Sequence, residues 1–225
     1  MFRVGVKRAR AESESSDATS DVKFYHNVET KEVNCYRHQN NIYFCDQINW
    51  NSVFVLNRTL RQLEQEILVE VEKSKANISQ FQKLWLRVEP GPIMLHITTN
   101  GGLVHAAFSV VDVIKTLKVP VHTVIDGYVA SAGTIISMVG AKRYICPNAY
   151  ILIHEIRCGV WGKYEEVEVA KDNAEKLQNH VLKFYMEHKI KIKEKDLKNI
   201  LKKDIDFSAS EAVANGLVDE VYNTL

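Results

Sequence analysis

Hydrophobic positions in the first half of the chain recur with the period of an α-helix. Between Ser52 and Lys73, apolar residues follow one another at intervals of three or four, at Val53, Leu56, Leu60, Leu63, Ile67 and Val71. This spacing places them on one face of a helix, so it predicts a long amphipathic helix with one side packed on a sheet. A short strand is predicted before it, at Asn41 to Cys45.

Strands and helices alternate regularly from Ile93 onward. Apolar runs at 93–99 and 121–125 predict strands, and a helical pattern at 104–117 predicts the helix between them. This order predicts right-handed crossovers and a buried parallel sheet. Further apolar segments at 143–146 and 150–154 extend it. The predicted fold class is therefore α/β.

A long helix is predicted from Lys163 to His188. Its apolar residues form only a narrow stripe in a mostly polar pattern. Such a stripe suits a helix that projects and pairs with another subunit, although an ordinary surface helix would show it too. A short helix follows at 195–202. A capping box, Ser208 to Glu211, opens a last helix that stops before Gly216, and 217–222 is predicted as a final strand.

The N-terminal 21 residues differ in composition from the rest. They combine a short basic patch with a Ser/Glu/Asp-rich tract and contain few large apolar residues. Such a segment cannot cover a core, so we predict a flexible tail at 1–21 and one folded domain at 22–225. Within that domain, the mixed segment 75–92 ends in Pro-Gly-Pro and is predicted as a loop.

Composition disfavours several classes of partner. The chain has 225 residues, 46% of them hydrophobic, which suffices for one well-buried domain. A formal net charge of +1, with 25% charged residues, gives no electrostatic reason to expect nucleic acid or a membrane surface. The four cysteines form no CxxC pair, and no apolar run approaches the roughly 20 residues of a membrane span. We therefore expect a cytoplasmic or other reducing intracellular or organellar compartment.

Ser131 is the strongest candidate for a nucleophile. It follows the predicted strand 121–125, and a continuous apolar helix pattern begins directly after it. Its small neighbours, two alanines and a glycine, would leave a hydroxyl exposed at a sharp strand-to-helix turn. The helix N-terminus would supply free N–H groups and positive potential there. A serine that merely caps a tightly packed helix would show the same pattern.

A serine nucleophile needs a base, an orienting acid and donors for an oxyanion. His154 ends an apolar strand and could serve as the base. Asp204 could orient its imidazole, and Asp206 lies close by as an alternative. The Gly101-Gly102 turn carries no side chains, so its backbone N–H and that of Ala132 could approach a substrate carbonyl. Each feature alone is common at turns and caps, whereas their combination favours catalysis.

Other kinds of catalytic site fit the sequence less well. The order serine, histidine, aspartate and the presence of Val129 at the first glycine position of Gly-x-Ser-x-Gly disfavour an α/β-hydrolase. His154-Glu155 lacks the second histidine of HExxH, so no metal site is predicted. The chain has neither a Walker lysine motif nor a dinucleotide fingerprint. We therefore expect no cofactor and no ATP hydrolysis by this chain.

Four short segments carry a family resemblance. They are Ile-Thr-Thr-Asn-Gly-Gly at 97–102, Gly-Tyr-Val-Ala-Ser-Ala-Gly at 127–133, Cys-Pro-Asn with Ile-His-Glu at 146–148 and 153–155, and the ending from Asp204 to Asp219. In this order they resemble the ClpP family, the proteolytic subunits of ATP-dependent Clp proteases within the ClpP/crotonase superfamily. The resemblance is good from Ile93 to the C-terminus and plausible from Asn41.

The resemblance implies a fold, a set of site residues and an assembly. The fold is the ClpP/crotonase-like ββα superhelix, with the helix at 163–188 as a projecting handle. The implied site residues are catalytic Ser131, His154 and Asp204, oxyanion-hole Gly102 and Ala132, and substrate-binding Gly101 and Leu103. The implied activity is ATP-dependent serine endopeptidase action on unfolded proteins or peptides inside a ring, a heptamer or double heptamer, with a Clp-type ATPase unfoldase as candidate partner.

The chain departs from the family pattern in several places. Asp206 stands where the family usually has an aromatic or apolar residue, so either of two aspartates could complete the triad. Asn100 replaces the proline before Gly-Gly. The tail does not resemble the family's N-terminal segment, and the 75–92 segment is longer than usual. Because the family contacts its unfoldase through these regions, pairing with an ATPase stays open.

Three other functions stay open at this point. The first is a Ser-Lys peptidase of the signal-peptide-peptidase A type, which would use a lysine such as Lys163 or Lys171 as its base. The second is an inactive or regulatory ring-forming paralogue that keeps the triad. The third is a crotonase-like CoA enzyme, which would have no use for a serine, histidine and aspartate set.

Overall fold

A computed structural model describes residues 32–77, 89–188 and 190–223. These residues form an eight-stranded mixed sheet and six helices. These elements belong to one unit that runs from Val33 onward. The predicted tail, 1–21, and most of the predicted loop at 75–92 lie outside the described residues.

The helices and strands agree closely with the hydrophobic pattern. In chain order they are β1 (Cys35–His38), β2 (Asn41–Phe44), α1 (Trp50–Asn77), β3 (Ile93–Thr99), α2 (Val104–Thr116), β4 (Val121–Ala130), α3 (Ala132–Met138), β5 (Lys142–Ile145), β6 (Tyr150–Ile153), α4 (Tyr164–Glu187), α5 (Glu194–Leu201), β7 (Ile205–Ser208), α6 (Ala209–Ala214) and β8 (Glu220–Val221). The predicted α/β class is confirmed.

Most strand pairs of the sheet are parallel, and β4 lies at its centre. The strand order is β1-β2-β3-β4-β5-β8, with β6 paired to β4 and β7 paired to β6. The first half of β4 pairs with β5 through residues 122–125, and its second half pairs with β6 through 128–130. Gly127, at φ 79°, separates the two halves. The end of β4 is thereby carried beside β6.

Helix α1 begins with a reciprocal cap and packs along its whole apolar stripe. The Ser52 N–H donates to Asn49 Oδ1 at 2.9 Å, and the Asn49 N–H donates to Ser52 Oγ at 3.0 Å. This pair satisfies N–H groups that a helix start leaves free, so α1 begins slightly before the predicted Ser52. All six predicted apolar positions are buried in the core with β3 and α2.

Helix α4 is packed in its second half only. Its buried residues are Val181, Leu182, Phe184 and Tyr185, and none lies in the first half of the helix. Val167 and Val169 are 40% and 51% exposed. A helix whose apolar side chains stay uncovered over half its length has the form predicted for a projecting handle.

The C-terminal region follows its capping signals, but its last strand is short. The predicted capping box of Ser208 and Glu211 is present, and Gly216 adopts φ 71° after α6. Strand β8 covers only Glu220–Val221, and Leu217 and Val218 are buried in the turn that precedes it. In the described ranges, no helix is both long enough and apolar enough to cross a bilayer.

Candidate active site

Ser131 occupies a strained turn between β4 and α3. Its backbone has φ 55° and ψ −126°, a conformation that costs a non-glycine residue about 1–3 kcal/mol. The turn is held by the Ser131 N–H, which donates to the Leu152 carbonyl at 3.0 Å. The Ser131 hydroxyl makes no capping hydrogen bond to α3. The alternative of a serine that only caps the helix is therefore not supported.

The Gly101-Gly102 turn lies directly against the Ser131 turn. A Cβ atom added to Gly101 would stand 2.6 Å from the Ser131 Cβ and 3.2 Å from the Ala132 nitrogen, so only glycine fits there. The Gly101 N–H is held by the Thr99 hydroxyl at 3.0 Å. This close approach brings the two turns that sequence analysis singled out into one small region.

Two backbone N–H groups of this region are available as donors. Gly102 forms a parallel bridge with Ile48, in which the Ile48 N–H donates to the Gly101 carbonyl and the Leu103 N–H donates to the Ile48 carbonyl, each at 2.8 Å. In such a bridge the N–H of Gly102 itself points away from Ile48. Ala132 is the first residue of α3, where an N–H has no acceptor within the helix.

His154 lies at the same sheet edge as Ser131. Strands β4 and β6 are parallel, with Ala130 opposite Leu152, so both chains leave the sheet at their carboxyl ends. Ser131 follows the first strand immediately, and His154 follows the second. The His154 side chain is only 10% exposed. Parallel pairing thus brings the predicted nucleophile and base to one edge.

Asp204 lies beside His154 because β6 and β7 are antiparallel. Ile153 is opposite Ile205, so the preceding and following residues continue the register as Asp204 and His154. Asp204 Oδ1 lies 3.3 Å from His154 Nδ1. At this distance the two groups attract each other, but their alignment is not that of a hydrogen bond, and Nδ1 is buried without one.

Asp206 has a different partner. It is opposite Leu152 in the β6–β7 ladder, and its Oδ1 accepts a hydrogen bond from the Tyr128 hydroxyl at 3.1 Å. The Tyr128 pKa is raised, first by burial and then by this carboxylate. Of the two aspartates that sequence analysis left open, Asp204 is therefore the one in contact with His154.

His154 is held in its neutral form by its surroundings. Its pKa is lowered, first because burial disfavours the imidazolium, and the Arg157 charge acts in the same direction. The charges of Asp204 and Glu155 oppose these effects without reversing them. A histidine with a pKa below the ordinary value of about 6.5 is a neutral base at pH 7.

Two residues of this site, Arg157 and Tyr128, were not predicted from the sequence. The Arg157 guanidinium contacts Asp204 Oδ2 from a segment without regular structure, where no periodic pattern indicates direction. Tyr128 of β4 reaches Asp206 of β7 across the one strand between them, β6. Among the described residues, no group of three or more histidine, cysteine or acidic side chains could hold a metal ion.

The mixed sheet with its crossover helices has the ClpP/crotonase-like fold. A solved structure of a ClpP1 mutant from Listeria monocytogenes is similar to it, with a TM-score of 0.66 over 83% of this chain and 92% of that chain, at 22% identity. That likeness defines the class of fold.

Sequence comparison identifies the family. The sequence model of the Clp protease family matches residues 48–224, so the chain belongs to this family. The ATP-dependent Clp protease proteolytic subunit of Deinococcus radiodurans is 30% identical to it over 157 residues, which cover 69% of this chain and 76% of that protein. The resemblance noted in the sequence is confirmed, and the chain is a Clp-type serine endopeptidase.

Proposed function

We propose that this chain hydrolyses peptide bonds with Ser131 as the nucleophile, His154 as the general base and Asp204 as the orienting acid. In this mechanism the His154 imidazole accepts the Ser131 hydroxyl proton while the serine oxygen attacks the substrate carbonyl. The proton then passes to the leaving amine, and a water molecule, deprotonated by the same imidazole, releases the acyl group. Asp204 stabilises the imidazolium that forms in each half of the reaction.

The observation that carries this proposal is the pairing of three strands at one edge. The β4–β6 register brings Ser131 and His154 together, and the β6–β7 register adds Asp204 at 3.3 Å from the imidazole. These residues come from distant parts of the chain, and ordinary packing does not require a serine, a histidine and an aspartate at that place.

The N–H groups of Gly102 and Ala132 are the proposed oxyanion donors. These N–H groups belong to the two turns that meet at Ser131, and Gly102 has no side chain that could block a carbonyl. Donors of this kind stabilise the negative oxygen of the tetrahedral intermediate. Gly101 and Leu103 are proposed to line the substrate site, since Leu103 is 49% exposed at the start of α2.

The proposed substrates are unfolded polypeptides cut inside a ring of several copies of this chain. Support comes from the exposed apolar residues before and within the first half of α4, which a second copy could cover. They include Val160, Trp161, Tyr164, Val167 and Val169. Family membership also supports a ring and a Clp-type ATPase as partner. We propose the domain 22–225 as the unit that assembles.

Labelling with a fluorophosphonate, which reacts with an activated serine, tests the nucleophile. We expect the intact protein to be labelled at Ser131 and to hydrolyse peptides, and the Ser131→Ala variant to lose both. Ser210→Ala is the matched control, because it removes an exposed hydroxyl at α6. Equal labelling of the intact protein and the Ser131→Ala variant would refute the assignment.

The open alternatives give different results in the same assays. A Ser-Lys peptidase would lose activity with Lys163→Ala or Lys171→Ala and keep it with His154→Ala. An inactive ring-forming paralogue would show the mass of a ring in light scattering without peptide turnover. A crotonase-like CoA enzyme would keep its activity in the Ser131→Ala variant.

A further inference from the structure

The Asp204 carboxylate lies between an imidazole and a guanidinium. Its Oδ1 lies 3.3 Å from His154 Nδ1, and its Oδ2 contacts Nη2 of Arg157. The Asp204 backbone adopts φ 47°, and its side chain is 46% exposed. Packing therefore does little to fix the rotation of this carboxylate, and the contact with the guanidinium is well placed to do so.

Arg157 is held in position by the backbone that precedes it. The Glu155 N–H donates to the Leu201 carbonyl, and the Ile156 N–H donates to Gln178 Oε1, each at 2.8 Å. Both bonds join the segment after β6 to helices of the packed body. After Arg157 the chain is exposed as far as the start of α4. The Arg157 side chain is 73% exposed, and it reaches back to Asp204 from the position directly after the anchored Ile156.

We propose that Arg157 is a positioning residue for this site, holding the outer oxygen of Asp204 so that the inner oxygen stays beside His154. The inference rests on the proposed function, since it assigns Asp204 the orienting role. A guanidinium suits the task because its planar fork fixes a carboxylate in direction as well as distance. Arg157 itself does not touch the substrate carbonyl or the serine in this proposal.

The Arg157 charge has a second effect, on the basicity of His154. The charged groups that act on His154 are Asp204, before β7, and Arg157 and Glu155, in the segment after β6. Helix α3 has no charged residue. Helices α4 and α5 reach the backbone next to His154 through uncharged groups, Gln178 at the Ile156 N–H and the Leu201 carbonyl at the Glu155 N–H. Removal of Arg157 takes away the one positive charge among these groups, so the pKa of His154 should rise although burial still lowers it.

The test compares Arg157→Gln and Arg157→Lys with the unaltered protein. For Arg157→Gln we expect kcat/KM on its upper plateau to fall roughly fivefold, mostly in kcat, and its acid limb to move to higher pH. Arg157→Lys keeps the charge but not the planar fork, so its acid limb should stay in place while part of kcat is lost. Because Asp204 and Glu155 together outweigh Arg157 in their effect on His154, added salt should move the limb to lower pH, and further in Arg157→Gln than in the unaltered protein.

Lys203→Gln is the matched control. Lys203 is exposed and adjacent to Asp204 in sequence, and the hydrogen bond found for it runs from its backbone N–H to the Ile200 carbonyl. The Lys203→Gln substitution removes one positive charge close to the site, as Arg157→Gln does, but it removes no contact to the Asp204 carboxylate. We expect its kcat and its acid limb to match those of the unaltered protein.

A readout that does not depend on activity separates this inference from the proposed function. Deuterium exchange at the Cε1–H of His154, followed by peptide mass spectrometry, gives the pKa of this one histidine in an assembly of any size. A rise in Arg157→Gln but not in Lys203→Gln would support the inference even if no peptide were cut. If peptides are cut and both the exchange profile and the acid limb stay unchanged in Arg157→Gln, the inference is wrong while the proposed function stands.

Discussion

The two aspartates near the site differ in what their carboxylates contact. Asp204 lies 3.3 Å from His154, whereas Asp206 accepts a hydrogen bond from Tyr128. We predict that Asp204→Asn lowers kcat/KM about 10⁴-fold, since an amide can stabilise the wrong tautomer of the imidazole and cannot stabilise the imidazolium. Asparagine tolerates the positive φ of this position, so the fold should be kept.

Asp206→Asn is the control for this prediction. It keeps the shape of the side chain and an oxygen that can still accept from the Tyr128 hydroxyl, so we expect kcat/KM to change little. Steady-state hydrolysis of a fluorogenic peptide measures both variants. A loss of activity in Asp206→Asn as large as in Asp204→Asn would mean that Asp204 is not the orienting acid.

The lowered pKa of His154 predicts the pH dependence of hydrolysis. Only the neutral imidazole can accept the serine proton, so activity is present above the pKa of His154 and is lost as pH falls through it. Because burial and Arg157 lower this pKa, the acid limb of kcat/KM should be centred below about 6.5. Measurement from about pH 5 to about pH 8 at constant ionic strength checks this. A limb centred above 7 would contradict it.

Among the helices and strands, those with a clear hydrophobic period could be predicted from the sequence. Strand β3 has the predicted bounds, α2 ends one residue before its predicted end, and α5 begins and ends one residue earlier than predicted. Strand β4 is longer than its apolar run, because exposed Gly127 and half-buried Tyr128 interrupt the pattern while the backbone continues toward β6. A local pattern cannot show which strand that extension will pair with.

The candidate site could be predicted only in part, for a related reason. Ser131 and the Gly101-Gly102 turn carry local signals, namely small residues at a strand-to-helix turn. Whether Asp204 or Asp206 contacts His154 depends on the register between β6 and β7. A shift of this register by one residue would change the partner of every side chain in the pair of strands. The contact of Arg157 with Asp204 joins an irregular segment to a turn. Neither segment has the repeating hydrophobic pattern of a helix or strand, so the contact could not be inferred from the sequence.

The backbone at Gly102 leaves no room for a side chain, and adding a single methyl group tests this. Gly102 has φ 148°, and a Cβ there would stand 2.1 Å from the Ile48 carbonyl oxygen. Since that neighbour is backbone, Gly102→Ala should lower the free energy of unfolding by about 2–4 kcal/mol and displace the proposed oxyanion donor. Urea unfolding and kcat measure the two effects.

Gly159→Ala provides the comparison for Gly102→Ala. A Cβ at Gly159 meets no atom within 4 Å, so we expect little change in unfolding free energy or in kcat. The Gly102→Ala prediction fails if that variant is as stable and as active as Gly159→Ala.

In the molecule as a whole, one short segment links the candidate site to the uncovered apolar surface of α4. The site is formed where β4, β6 and β7 end or begin, and the residues that hold it are packed on the sheet. The segment after Arg157 leads directly from His154 to the exposed first half of α4. A copy bound to the first half of α4 would therefore contact a segment of the chain that starts next to His154. Assembly could in this way affect the position of the proposed general base.

Exposed aromatic residues at the start of α4 predict how assembly can be broken. Trp161 is fully exposed and Tyr164 is 78% exposed, so neither contributes to the packing of the single chain. We predict that Trp161→Ser combined with Tyr164→Ser lowers the mass measured by light scattering and leaves the far-ultraviolet circular dichroism unchanged, because only surface between copies is lost. Met186→Ser, at the packed end of the same helix and 38% exposed, should keep the assembled mass. If the double variant also keeps it, the start of α4 does not carry the contact between copies, and the proposed ring must be formed through other surfaces.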